Sequence, residues 1–441
     1  MRRCILVMLA VAAGCAKVDP PGAYTSAHAS SRTSVPAEAP ALQPACAEAP
    51  VSGAWPRAAS GTDGIARVAS RGLEQSFAPG RSSALRFLGA HLFDLLDKVA
   101  SEGGTEAERR RLVCVALEAC AATGAPVVRI WGSLKHTGAA DEVARAAEAL
   151  ELVLDENARR QRPLRFVVAL LNHQPGYGSP RPERSLDDQD PSSGWAARQI
   201  YLEDGWRSRG RGLLAERIEA FAARRIVQSS PYVLTWELVN ELDTFRVVGP
   251  ELSGAQAGRL RDAFLVPAAA LLARSFPQPV AFGEIRAAAG PPYVAFAREL
   301  VGRLSPDARQ RLVWTSHVYA PLGGDSARAT AKLDLDLAFA AESGLPFVVG
   351  EIGQHVPGTG ARFCADGPRH DLDSLFREVL GPRTSIDRAI FWGEGHCRLD
   401  VGRGLVAIGA GGDSADLGPN ETEARSAVAG LRRTPRFRTE P

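Results

Sequence analysis

The feature that most constrains the fold is a regular alternation between apolar runs and helix-like segments, which starts at residue 84 and repeats eight times. The apolar runs, such as "YVLTWELVN", lack the alternating polar residues of a half-exposed strand, which indicates strands covered on both faces. Intervening segments such as "DEVARAAEALELVLDENARRQ" have the periodicity of amphipathic helices. This order predicts an α/β fold: a single (β/α)8 TIM barrel over residues 81–410, with a long loop after the third strand.

The eight predicted strands are residues 84–93, 126–132, 164–172, 232–240, 279–285, 311–319, 346–353 and 388–395. An open, doubly wound parallel sheet is the alternative, because it shows the same alternation of strands and helices. The segment "GAHLFD" in the first strand does not match the G-x-G-x-x-G pattern of dinucleotide-binding sheets, which favours the barrel.

The first fifteen residues predict an export signal. Arg2 and Arg3 precede the apolar run "CILVMLAVAAG", which is too short to cross a bilayer. The segment "AAGC" resembles a bacterial lipoprotein cleavage box with Cys15 as the lipidated residue, and plain secretory cleavage is the alternative. Both predict an exported protein, either secreted or held at the cell surface through a lipid on Cys15.

The flanking segments differ from the barrel in composition. Residues 16–80 are rich in Ala, Pro, Ser and Gly and predict a flexible spacer. Residues 411–441 predict a C-terminal helix or tail. The formal net charge of +2 gives no indication of a nucleic-acid partner. We expect a monomer whose only membrane contact is the lipid anchor.

Export makes disulfide bonds chemically permissible. Cys364 and Cys397 follow two successive late strands, so we expect this pair to be bonded. No C-x-x-C or H-x-x-x-H spacing indicates a structural metal site. The cysteines beyond the leader and the candidate anchor are Cys46, Cys114, Cys120, Cys364 and Cys397.

Polar and aromatic residues recur at the C-terminal ends of the predicted strands, where barrel enzymes carry their chemistry. One polar strand end is usually capped or solvated, but convergence of many on one rim predicts an active site. Glutamates on the fourth and seventh strands suit retaining glycoside hydrolysis, in which an acid/base and a nucleophile stand roughly 5 Å apart. The strand-end residues are Arg129, Trp131, Asn172, His173, Asn240, Glu241, Glu284, His317, Tyr319, Glu351, Trp392 and Glu394.

The segments "WELVNE" and "FVVGEIG" resemble the two signature strands of family 5 (clan A) glycoside hydrolases. The resemblance implies that Glu241 is the acid/base and Glu351 the nucleophile. It also implies that Asn240 binds the sugar 2-hydroxyl and that Arg129, in "VVRIWG", keeps the nucleophile ionised. The remaining substrate-binding or supporting residues that it implies are Trp131, His173, His317, Tyr319 and Trp392. The chain departs from the family pattern at Ala90, His91 and Leu242.

The segment of residues 173–213 after the third strand is long enough to indicate a functional loop. Trp195, Tyr201 and Trp206 are candidate platforms for sugar rings, and packing of this loop onto the barrel is the alternative. The order of these features, together with "RIWG", resembles β-1,4-mannanases of the same family. This implies a polysaccharide substrate, mannan first, with no cofactor and no metal; β-glucanases and exo-acting β-glycosidases share the implied core.

Two other classes of protein stay open at this stage. One is a surface lipoprotein that binds a glycan on an inactive barrel. The other is a metal-dependent hydrolase that uses His173, His317 and His355, although their spacing gives no compact ligand pair. Glu284 is expected to bind substrate or to form an ion pair with Arg286.

Overall fold

The structure is a computed structural model, and all its described residues lie in the compact unit Pro44–Pro441. The described residues are 55–70, 72–92, 94–101, 104–122, 124–134, 141–172, 214–240, 254–285, 291–321, 326–355, 376–391, 397–400, 405–408 and 430–439. None of the helices in these ranges is long and apolar enough to cross a membrane.

Eight parallel strands, β4 to β11, close into a barrel in which each strand pairs with its neighbours in the chain and β11 returns to β4. The predicted (β/α)8 barrel is therefore confirmed. The strands in chain order are β1 Arg67–Ala69, β2 Gly72–Ala78, β3 Arg81–Ala84, β4 Phe87–His91, β5 Val127–Trp131, β6 Arg165–Asn172, β7 Val233–Asn240, β8 Val280–Ala281, β9 Leu312–Pro321, β10 Phe347–His355, β11 Arg388–Phe391, β12 Cys397–Asp400 and β13 Leu405–Ile408.

Helices lie between the barrel strands and pack on their outer faces. Trp236 of β7, for example, stacks on Phe276, which directly follows the helix Val266–Ser275, with ring centroids 4.2 Å apart. A π-helical turn, Leu260–Leu265, joins two α-helices within the helix predicted there. The α-helices are α1 Leu95–Ser101, α2 Glu106–Ala122, α3 Glu142–Ala158, α4 Leu214–Ala222, α5 Arg225–Gln228, α6 Gly254–Arg259, α7 Val266–Ser275, α8 Pro291–Arg303, α9 Pro306–Gln310 and α10 Ser326–Ser343.

Each barrel strand contributes one buried apolar side chain to a common layer inside the N-terminal half of the barrel. This layer consists of Phe87, Val127, Val167, Leu234, Ala281, Val313, Val348 and Ile390. Trp55, Ala66 and Leu73 join the same cluster from the chain that precedes the barrel. The interior is therefore filled with apolar atoms below the strand ends that carry the polar residues.

The prediction of a flexible spacer over residues 16–80 is wrong for the last part of this range. Strands β1, β2 and β3 form an antiparallel sheet, and Trp55 is buried with its ring edge-on to Phe77 and Phe87. The pattern of this sheet was hidden because β2 buries polar residues that find hydrogen bonds in the fold. The Gln75 amide donates to the carbonyl oxygens of Gly64 and Pro231, at 2.7 Å each.

Two further predictions concern the end of the chain and the cysteines. The described part of the predicted C-terminal helix or tail includes the 3-10 helix Pro435–Phe437, and Arg432 there donates to the carbonyl oxygen of Leu88 at 2.7 Å. Cys114 is disulfide-bonded. The partner of Cys114 lies outside the described residues, as do Cys364 and the side chain of Cys397. The pairing between Cys364 and Cys397 therefore stays a prediction.

Candidate active site

The described structure includes the side chains of five predicted site residues: Arg129, Trp131, Asn240, His317 and Glu351. Of Tyr319 it describes only the backbone, within β9. Glu241, His173, Trp392, Trp195, Tyr201 and Trp206 lie outside the described residues, and their predicted roles stay predictions.

Strand register brings the described residues together. His91 at the end of β4 pairs with Arg129 in β5, and His317 in β9 pairs with Glu351 in β10. The register between β9 and β10 shifts by one residue at Gly350. Val349 pairs with Ser316, but Glu351 pairs with the next residue of β9, His317. Such a bulge re-aims the side chain that follows it. Glu351 is thereby placed beside Arg129, and both are buried.

Arg129 is the centre of the site. Its Nη1 donates to Oε1 of Glu351 at 2.6 Å, and its Nη2 donates to Oδ1 of Asn240 at 2.8 Å. Its Nε donates to Oε2 of Glu237 at 2.8 Å. One guanidinium therefore joins the seventh barrel strand to the fourth across the interior. Arg129 and Glu351 are therefore in direct contact, and the roles that the resemblance implies for them stay predictions.

Glu237 was not singled out from the sequence. It lies three residues before Asn240 in β7, and its side chain is fully buried against Arg129. A signal for it was present: an acidic residue inside the apolar run "VLTWELVN" must find a cation, because a buried unpaired charge is strongly unfavourable. The arginine inside "VVRIW" is the corresponding signal on β5.

His91 occupies the position on β4 where the sequence departs from the family pattern. Its Nε2 lies 2.8 Å from Nη1 of Arg129 and 3.7 Å from Oε1 of Glu351, and its ring is edge-on to Trp131. Arginine can only donate, so Nε2 accepts and the proton of a neutral His91 ring lies on Nδ1. His91 therefore supports the guanidinium from the side opposite β7.

On its other side, Glu351 faces His317. Nδ1 of His317 lies 3.4 Å from Oε2 of Glu351 and 3.7 Å from Oε2 of Glu284. With two carboxylates facing it, Nδ1 carries a proton. Arg286, the expected partner of Glu284, lies outside the described residues, and the described partners of Glu284 are His317 and Lys332.

Lys332 connects this pocket to the helix layer. Its Nζ lies 3.4 Å from Glu284 and 2.6 Å from Asp336, which also accepts from Trp314 and from the hydroxyl of Tyr293. Burial lowers the pKa of Lys332, but the Asp336 and Glu284 carboxylates outweigh burial, so the pKa is raised. Burial, followed by Asp336, raises the pKa of Tyr293 well above its usual value.

The arrangement holds one carboxylate, Glu351, by both oxygens: Arg129 binds Oε1, and His317 faces Oε2. Charged hydrogen bonds of this kind stabilise the ionised form and fix its orientation. Such a carboxylate can serve as a nucleophile or can stabilise a developing positive charge. Within the part of the chain that the structure describes, no group of His, Cys, Asp and Glu is arranged to hold a metal ion.

No protein family model matches the chain, and no curated protein matches it. The solved structures that match include β-mannanases and other glycoside hydrolases. A β-mannanase from Streptomyces thermolilacinus with mannohexaose is similar with a TM-score of 0.44 and 14% identity, over 85% of this chain and 97% of that one. The mannotriose complex of Thermomonospora fusca β-mannanase gives 0.43 and 13%, over 83% and 96%. A GH10 endoxylanase from a sugarcane soil metagenome gives 0.40 and 13%, over 70% and 86%.

Proposed function

We propose that this chain is a retaining glycoside hydrolase that cleaves a β-1,4-linked polysaccharide, with mannan as the first candidate. The observation that carries the proposal is the buried guanidinium of Arg129, which joins Glu351 of β10 to Asn240 of β7. Asn240 directly precedes Glu241 in the sequence. The two glutamates that retaining hydrolysis requires are therefore expected on strands that one arginine already connects.

In the proposed reaction, the Glu351 carboxylate attacks the anomeric carbon while Glu241 gives its proton to the departing glycosidic oxygen. Water then hydrolyses the glycosyl–enzyme ester, with Glu241 as the base that takes the water proton and Glu351 as the leaving group. Oδ1 of Asn240 accepts from Arg129, and in the proposed complex the side-chain amide of Asn240 binds the sugar 2-hydroxyl.

The test is Glu351→Ala with an aryl β-glycoside of mannobiose. We expect turnover to fall on the order of a thousandfold or more, because the nucleophile is removed. Azide should then restore product release and give a glycosyl azide of inverted anomeric configuration. Glu216→Ala is the matched control, since Glu216 is an exposed glutamate of α4. Full activity in Glu351→Ala would reject the proposal.

The substrate and the location are tested separately. Reducing-end release should be highest on mannan in a panel that also contains glucan and xylan, and a higher rate on glucan would select the β-glucanase alternative. We also propose export with acylation at Cys15, as the leader sequence indicates. Radiolabelled palmitate should label the wild type and not Cys15→Ser, whereas no label in either protein would leave plain secretion.

A further inference from the structure

We propose that Glu237 is a positioning residue that fixes the guanidinium of Arg129 against Glu351 and limits how strongly this cation holds the Glu351 carboxylate. This inference deepens the proposed function and rests on it. It gives a role to a third buried glutamate of the same site, one that is fully enclosed within the barrel.

The geometry of the guanidinium is the first argument. Oε2 of Glu237 lies 2.8 Å from Nε and 2.7 Å from Nη2 of Arg129. These contacts engage one edge of the planar group, which fixes its plane and leaves Nη1 to donate to Glu351 at 2.6 Å. Without Glu237, the long arginine side chain would hold the nucleophile in a less defined orientation.

The second argument is that the position of Glu237 works against stability. Its Oε1 is buried and finds no hydrogen-bond partner among the described residues, which is unfavourable for a carboxylate. A Cβ on Gly350 would make only ordinary contact with this Oε1, at 3.7 Å, but would come within 2.9 Å of Nε2 of His317, so the glycine makes room for His317. A charged group that stays buried despite this penalty points to function.

The third argument is electrostatic. Glu237 and Glu351 share one cation, so each weakens the hold of Arg129 on the other. If Glu237 becomes neutral, the guanidinium acts on Glu351 alone, which then ionises at lower pH and becomes a weaker nucleophile. The other described titratable or charged groups that face the Glu351 carboxylate are His91 and His317, with Glu284 and Lys332 behind His317.

The test is Glu237→Gln, which removes the charge and keeps the shape. We expect kcat to fall about tenfold to a hundredfold with KM little changed. The acidic limb of the kcat/KM profile should move down by about one pH unit. Carboxyl NMR of protein labelled with ¹³C-glutamate, assigned with Glu351→Gln, should show the same shift in the titration of Glu351. Glu216→Gln, on the exposed face of α4, should leave both readouts unchanged.

The NMR arm separates failure of this inference from failure of the proposed function, because it needs no turnover. A shifted Glu351 titration in a protein without glycosidase activity would support the positioning role and reject the reaction. An unshifted titration in Glu237→Gln would overturn the inference, whatever happens to stability. If Glu237→Gln does not fold, Glu237→Asp is the deciding variant. It keeps the charge and shortens the side chain, so it should lower kcat and leave the titration of Glu351 unchanged. A wild-type kcat in Glu237→Asp would overturn the inference.

Discussion

A lysine in place of Arg129 would keep the positive charge of the site and lose the shape of the guanidinium. The guanidinium contacts Glu237, Glu351, Asn240 and His91 through three nitrogens, and Glu237 is contacted by two of them. An ammonium group has a single nitrogen with three N–H donors on a flexible stem, so it cannot reach all these acceptors at once.

The expected loss follows from the contacts that Arg129→Lys would break. A hydrogen bond to a charged group contributes about 1.5–3 kcal/mol, and at least two of the contacts of Arg129 would be lost. We therefore expect the free energy of unfolding to fall by about 3–6 kcal/mol, twice the contribution of one such bond. That is a large part of a stability of about 5–15 kcal/mol.

Urea unfolding followed by circular dichroism measures this loss, as a lower midpoint with an unchanged m-value. Arg298→Lys is the matched control. Arg298 forms an exposed pair with Glu342, and such pairs contribute little, so its midpoint should equal that of the wild type. A loss of less than about 1 kcal/mol in Arg129→Lys would refute the view that the guanidinium shape holds the site together.

Two further predictions concern stability away from Glu351. Because the pKa values of Lys332 and Tyr293 are raised above 10.5 and 10.0, the folded protein keeps protons that the unfolded chain releases. Stability should therefore fall as pH rises above about 10. The urea midpoint should fall less steeply with pH in Tyr293→Phe than in the wild type, and equal slopes in the two proteins would contradict this. Trp55→Ala should destabilise by about 3–5 kcal/mol, since Trp55 is buried in the core. Ile226→Ala, at an exposed side chain, should change the midpoint little, and an equally small effect of Trp55→Ala would contradict the assignment of residues 55–84 to the core.

The barrel strands were readable from the sequence because both their faces are buried, so their apolar runs stand out. The fifth strand was predicted too long, over 279–285, whereas the ladder covers only Val280–Ala281. Gly283 explains the difference. It has φ +78°, and a Cβ there would lie 1.8 Å from the carbonyl oxygen of Val239. The regular ladder is interrupted at this close approach to β7, which apolar periodicity does not reveal.

The site was readable only in part. Arg129, Asn240 and Glu351 stand at strand ends that the fold brings together, so their convergence follows from the barrel itself. Glu237 and His91 were missed because their roles depend on which residues the strand register places opposite them, and a single sequence does not give that register. The bulge at Gly350 is a further example. It shifts the register by one residue, so that Glu351 pairs with His317.

The sheet that the sequence did not predict bears on the candidate active site at the opposite end of the barrel. Trp55 and Leu73 cover the N-terminal end of the interior, and the apolar layer above them contains Val127 and Val348. The charged residues begin only two or three positions further along the same strands, at Arg129 and Glu351. Water is thereby kept from the floor of the site, and a low local dielectric strengthens the bond between Arg129 and Glu351. Replacing buried charges with apolar side chains often stabilises a protein, so a charged layer that persists on such a floor is better explained by reactivity than by stability.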